Sequence, residues 1–404
     1  MHPFLRKILD ATRLTRQGRI AEATAAIQAA VSPSEQASAH VASRHHADDV
    51  IDVEVLEVPD EAFGPAETAP AFVEPVDEET GDDAVVEPAT QPPVEPAEGR
   101  FIESSFTGSA GTHAFKLFVP GGYEGDALPL VVMLHGCTQD PDDFAAGTQM
   151  NAIAQEQGFF VLYPAQTQRA NATRCWNWFS PQHQRRGSGE PALIAGMTRH
   201  ILQTHSVDRD RVYVAGLSAG GAMAAILARE YPDLFAAAGV HSGIVPGGAS
   251  DVASAFAVMR TGRSATWSLP TFTMPTDAAP PTQGSAPLIV FHGDADTTVA
   301  IANADAVLAG AIADASVVAT TTQGMAATGE RAFRRTVWRR DAAADAPSVA
   351  EHWVVHGSPH AWSGGDASGS YTDPAGPDAS REMLRFFAEH PQAAVVTEAF
   401  EASP

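Results

Sequence analysis

The sequence predicts an α/β fold in which a mainly parallel central sheet carries helices on both faces. Three observations point to it. Short β-branched runs alternate with longer helical stretches between residue 100 and about 390. One of those runs ends in a Gly-x-Ser-x-Gly turn and passes straight into a helix-forming stretch. An aspartate and a histidine then stand after later strands, in the order that such a serine needs.

Apolar runs at 130–134, 159–163, 212–215, 288–291 and 352–355 read as strands. Helical stretches follow at 142–157, 191–205, 222–231, 301–312 and 380–389. In sheets of this kind ligands bind beyond the carboxyl ends of the strands. Residues 246–285 are rich in Gly, Ala, Ser, Thr and Pro and show no strand pattern, so a loop layer over the site is expected there.

Three further segments flank this domain. Residues 1–31 place Leu5, Ile8, Leu9, Leu14, Ile20 and Ile27 at helical spacing, with Gly18 interrupting, which predicts a small helix or helical hairpin. Residues 32–99 interleave prolines with acids and read as a disordered, extended tether. Residues 391–404 read as a disordered tail. The N-terminal helix and the tether are candidate contacts for a partner that the sequence does not identify.

The chain has 404 residues, 44% of them hydrophobic, which is enough for a large core. Its net charge of −24 is concentrated: residues 46–99 hold 17 Asp and Glu and no Lys or Arg, leaving 32 acids against 25 bases elsewhere. No basic stripe exists to meet phosphates, so nucleic-acid binding is not expected. No apolar stretch is long enough for a transmembrane helix. The first residues carry Arg6 and Lys7 with no apolar run after them, so no secretory signal is read and a cytoplasmic location is predicted, with an extracellular one as the alternative.

The chemistry centres on Gly216-Leu217-Ser218-Ala219-Gly220. A strand, a sharp turn carrying serine and a helix make a nucleophile elbow, and glycines suit positions where strand and helix crowd together. A serine hydroxyl needs a base, and the base needs an orienting carboxylate. After the run at 288–291, His292-Gly293-Asp294-Ala295-Asp296 offers two acids. Asp296 is favoured, because Asp294 adjoins the tight Gly293 turn and serves that turn. After the last strand, His360 lies in a Gly/Pro-bounded loop and is favoured as base over His356, while His352 is read as strand packing. Stabilisation of an oxyanion needs two backbone N–H groups. Ala219 at the helix start and Cys137 in His135-Gly136-Cys137-Thr138 are the predicted donors, with His135 packing beside them. Arg185, Arg186 and Glu190 are assigned structural roles.

With these residues in view, His135-Gly136-Cys137-Thr138-Gln139, Cys175-Trp176-Asn177-Trp178-Phe179, Gly216 to Gly221, His292 to Asp296 and His360-Ala361-Trp362-Ser363-Gly364-Gly365 together resemble the poly(3-hydroxybutyrate) depolymerase-type esterase family. The resemblance covers residues 100 to about 390 and implies an α/β-hydrolase fold with a Ser218, Asp296, His360 triad. Families of this kind include polyester depolymerases, feruloyl esterases and acetylxylan esterases, and many members are secreted. The expected activity is serine esterase chemistry on short-chain polyhydroxyalkanoate or 3-hydroxybutyrate-type esters, with feruloyl or acetylxylan esters as alternatives. No separate polymer-binding domain is read, which favours short, soluble or amorphous substrates. The ester is the expected partner, and neither metal nor organic cofactor is called for.

Cys137 and Cys175 flank two of these motifs. The resemblance implies a disulfide between them, whereas a reducing cytosol would keep them as thiols. Trp176, Trp178 and Trp362 are expected to form a partly exposed wall for the acyl group. Two rivals stand beside the esterase reading. One is a peptidase on the same fold. The other is a non-catalytic adaptor binding a polymer granule or a partner.

Overall fold

The computed structural model describes residues 98–392 apart from 109–110, 263–284, 313–315, 326–329 and 342–346. The predicted helix (1–31), the predicted tether (32–99) up to residue 97 and the predicted tail (391–404) beyond residue 392 lie outside the described residues, as do residues 263–284 of the expected loop layer.

The described residues open with a hairpin, β1 (Arg100–Gly108) and β2 (Gly111–Val119), then β3 (Leu128–Leu134). Helices α1 (Pro141–Thr148) and α2 (Met150–Gln157) lead to β4 (Phe160–Pro164). The alternation continues through α3 (Gly189–Thr204), β5 (Val207–Leu217), α4 (Ala219–Glu230), β6 (Ala237–His241), α5 (Val252–Thr261), β7 (Leu288–Gly293) and α6 (Ala302–Ile312). Strands β8 (Val318–Met325), β9 (Ala332–Arg339) and β10 (Ser348–Val355) follow. A two-stranded piece, β11 (Trp362–Ser363) with β12 (Thr372–Asp373), precedes α7 (Ala379–Ala388).

Among the described residues ten strands form one sheet in the order β1-β2-β4-β3-β5-β6-β7-β10-β9-β8. The six central strands from β4 to β10 run parallel, and antiparallel pairs close both edges. Alternation along each central strand divides the core into two layers. Leu130, Val132 and Leu134 of β3 join Val214, Val290 and the helices α3, α4, α5 and α6 on one face. Val131 and Met133 join Ala215, Ile289, Phe291 and the helices α1, α2 and α7 on the other. Both faces are dry, so these strands read as continuous apolar runs.

Three expectations are corrected. The helix predicted over 142–157 is two helices, because Gln149 adopts a left-handed φ of 54° between them. The region from 246 is not all loop: α5 starts on Asp251, whose carboxylate caps Ser254 N while the Ser254 hydroxyl bonds back to Asp251 N, and ends on left-handed Gly262. Strands β1, β2, β6, β8, β9, β11 and β12 add to the five read from the sequence.

Candidate active site

Strand β5 ends at Leu217 and α4 begins at Ala219, so Ser218 alone makes the turn, with φ 57° and ψ −116°. A side chain bearing Cβ is strained there, and such strain persists only where neighbours enforce it. The neighbours do: Ser218 N donates to His241 O at 2.9 Å, and Ala222 N to Ser218 O at 2.9 Å. A Cβ at Gly216 would overlap the Gly220 backbone, and one at Gly220 would overlap the Leu134 carbonyl. Ala219 N opens α4, where first-turn amides lack an intrahelical acceptor and the helix dipole favours negative charge.

The two loops at the ends of β7 and β10 bring Asp296 and His360 together. His360 Nδ1 lies 2.7 Å from Asp296 Oδ2, and the carboxylate fixes the ring as the Nδ1–H tautomer, leaving Nε2 as the acceptor. Asp296 Oδ1 accepts from Thr298 N at 2.9 Å and Val299 N at 2.8 Å. Its side chain is fully buried, and that of His360 is 11% exposed. Burial pushes the Asp296 carboxyl up, but the hydrogen bonds from His292 and His360 outweigh it and hold the group well below the usual carboxylate range. Asp294 and His356 form a second pair on the same two loops, exposed and outside the cavity that holds Ser218.

Ser218 and His360 line one cavity of about 270 Å³, together with Cys137 and Ala219. Among the described residues no hydrogen bond joins the Ser218 hydroxyl to the His360 ring. In unliganded sites such bonds are often long and tighten only with substrate in place.

The loop after β3 is braced from several sides. His135 is buried; its Nδ1 donates to Gly136 O at 2.8 Å and its Nε2 accepts from Gln166 N at 3.2 Å, so both ring nitrogens are occupied. Burial lowers its pKa to about 4, so it stays neutral and packs rather than acting as a base. Gln139 Oε1 accepts from Gly136 N at 2.9 Å, and Gln139 Nε2 donates to Asp143 Oδ2 at 2.8 Å. Cys137 and Cys175 form a disulfide that ties this loop to the tryptophan-bearing one. Beneath it, buried Glu190 accepts from Asn177 N, Asn177 Nδ2 and Gln166 Nε2 at 2.7, 2.6 and 2.6 Å.

The expected tryptophan wall is corrected in two of its three members. Trp178 lines the cavity. Trp176 is 1% exposed and donates through Nε1 to His135 O at 3.1 Å. Trp362 is also 1% exposed, donates to Ser380 Oγ and stacks on His241. Both are core, because each indole N–H finds a fixed acceptor below the surface. The wall is built instead by Phe179, Ile244 and, from α5, Val252, Ala255, Phe256 and Met259, with Thr298 and Tyr371 at its edge. Tyr371 is 46% exposed and its hydroxyl reaches Thr138 Oγ1 at 3.1 Å. Sequence reasoning also passed over His292, which contacts Asp296; its place in the His-Gly-x-x-Asp run was the available signal.

The chain is 37% identical over 204 residues to poly(3-hydroxyalkanoate) depolymerase C of Paucimonas lemoignei, a match covering 50% of this chain and 48% of that protein. It is 38% identical over 128 residues to feruloyl esterase B of Thermothelomyces thermophilus, covering 31% of this chain and 43% of the relative. The chain thus spans less than half the length of these curated relatives. Acetyl xylan esterase from Aspergillus awamori superposes with a TM-score of 0.52 at 19% identity, over 71% of this chain and 99% of that one, which shows a shared fold. The sheet order and this likeness make the fold that of the α/β-hydrolases. The family model described as esterase PHB depolymerase matches residues 113–333, a span holding Cys137, Ser218 and Asp296 and stopping short of His360. With more than half of its length so matched, the chain belongs to the esterase PHB depolymerase family.

Proposed function

We propose that the protein is a serine esterase that cleaves carboxylic esters through an acyl-enzyme. One observation carries the reading: a strained serine and a carboxylate-held imidazole open into the same apolar cavity. His360 Nε2 takes the Ser218 proton as the hydroxyl attacks the ester carbonyl, and Asp296 stabilises the imidazolium. Cys137 N–H and Ala219 N–H receive the oxyanion. The alcohol leaves with the proton from His360. Water, deprotonated in turn by His360, then frees the acid.

The preferred substrates are esters of 3-hydroxybutyrate type, in line with the likeness to the poly(3-hydroxyalkanoate) and poly(3-hydroxybutyrate) depolymerases. Feruloyl esters are the alternative, in line with the fungal relative. The disulfide favours an oxidising compartment, hence an extracellular location. Among the described residues no helix is long and apolar enough to cross a membrane.

The test is an ester panel run on wild type and Ser218→Ala. It spans p-nitrophenyl butyrate, 3-hydroxybutyrate oligomers, feruloyl and acetyl-sugar esters. Turnover of at least one ester that falls by about 10⁴-fold or more in the variant, with an unchanged melting curve, is the expected result. A variant as active as wild type rejects Ser218 as nucleophile.

A further inference from the structure

Strand β7 presents Leu288, Val290 and His292 on the same face, toward α6, so His292 is a polar end to an apolar row. Its side chain is fully buried. Its Nε2 lies 2.8 Å from Val299 O and 3.5 Å from Asp296 Oδ2, while its Nδ1 is buried with no partner. A carbonyl beside Nε2 demands a donor there, and a buried Nδ1 without an acceptor is best left without a proton. The ring is therefore the Nε2–H tautomer. Its N–H is directed to the carbonyl that closes the 296–299 turn, and the carboxylate oxygen that holds His360 lies 3.5 Å from the same nitrogen.

We propose that His292 is a positioning residue for Asp296: its Nε2–H clamps the 296–299 turn through Val299 O and, 3.5 Å from Oδ2, draws electrostatically on that oxygen, limiting how strongly it pulls on His360 Nδ1–H. The inference rests on the assignment of Asp296 and His360 given above. The other imidazoles facing His292 are His241 of β6 and His352 of β10. Burial lowers them to about 3 and about 4, so neither changes charge between pH 5 and 9.

The test compares His292→Leu and His292→Gln in the full chain by proton NMR. The readout is the downfield Nδ1–H resonance of His360, assigned by its loss in His360→Asn. Leucine removes that N–H, so the resonance is expected further downfield. Glutamine brings its Nε2–H donors to the place of the lost one, so the resonance is expected to return to the wild-type position. In parallel, kcat of His292→Leu falls roughly tenfold, well short of the ~10²–10⁴ that general acid–base catalysis supplies. KM is held. An unmoved resonance in His292→Leu, or one displaced equally in His292→Gln, overturns the inference. If His292→Leu does not fold, His292→Gln alone decides: a wild-type resonance supports the inference and a displaced one overturns it. The NMR reading needs no turnover, so a chain that cleaves no ester refutes the esterase reading alone.

Discussion

Two aspartate–histidine pairs leave the ends of β7 and β10 side by side. Asp296 holds His360 and Asp294 holds His356, each through Nδ1 and Oδ2 at 2.7 Å. The bond lengths are equal and the loops are the same. What differs is burial: the side chains of Asp296 and His360 are 0% and 11% exposed, those of Asp294 and His356 38% and 44%. The free oxygens differ too. Asp296 Oδ1 turns back on its own loop, to Thr298 N and Val299 N, whereas Asp294 Oδ1 reaches across to Gly357 N. The first pair is a preorganised charge in a dry pocket; the second is a tie between loops in water. A short hydrogen bond alone does not make a catalytic dyad. Its surroundings set how much of the Coulombic attraction survives.

The contrast breaks most sharply in turnover. His360→Ala is expected to lower kcat by about 10³–10⁴-fold, because the serine loses its base. His356→Ala is expected to stay within about twofold, since its ring lines no part of the cavity. Steady-state kinetics on p-nitrophenyl butyrate decide it. Equal losses would mean that the two pairs act as one unit.

The sequence favours Asp296 and His360 by loop position and by family resemblance, and what separates the pairs physically, burial, is not written in the local sequence. Other features followed the same division. The elbow was legible because its glycines and serine are contiguous. Central strands were legible because both of their faces are dry. By contrast β1 and β8 are mostly exposed, so they carry no apolar alternation to read. Strand β6 is Ala-Ala-Gly-Val-His, too small to look like a strand, and it is small because α7 presses on it: a Cβ at Gly239 would meet Met383 Sδ at 2.5 Å. Helix α5 was hidden in a small-residue stretch although Asp251 and Gly262 mark its ends. Trp176 and Trp362 belong to motifs beside the site, and only the fold shows that their indole N–H groups point inward to His135 O and Ser380 Oγ.

A smaller effect is expected in acid stability. The Asp296 carboxyl is held below its ordinary range in the folded chain, so its charge stabilises the native state above the unfolded carboxylate pKa. That contribution is complete at neutral pH and is lost progressively as pH falls from the unfolded carboxylate pKa through the lowered folded value. Asp296→Asn turns an amide N–H toward the Nδ1–H of His360 or leaves Oδ1 donors unpaired, and breaking a buried pair costs about 3 kcal/mol. Melting curves from pH 4 to 8 should show a gap to wild type that stays wide down to pH 4. Equal melting temperatures for the two proteins at every pH would mean that the carboxylate is not so held.

The least effect is expected from the same substitution two residues earlier. Asp294 also titrates below its usual range: partial burial pushes it up, and the bonds from His356 and Gly357 N bring it down. Water reaches both partners, so little of that shift survives as stability. Asp294→Asn keeps Oδ1 for Gly357 N, and its amide can donate to His356 Nδ1 once that ring takes the other tautomer. Its cost is expected to be within about 0.5 kcal/mol, at the edge of measurement. Asp294→Ala removes the cross-loop bond as well and is expected to cost about 1 kcal/mol, read from urea midpoints. One conservative change is therefore severe at 296 and silent at 294, because only the buried carboxylate has donors that cannot turn to water. An Asp294→Asn variant as unstable as Asp296→Asn would erase that distinction and make both pairs structural.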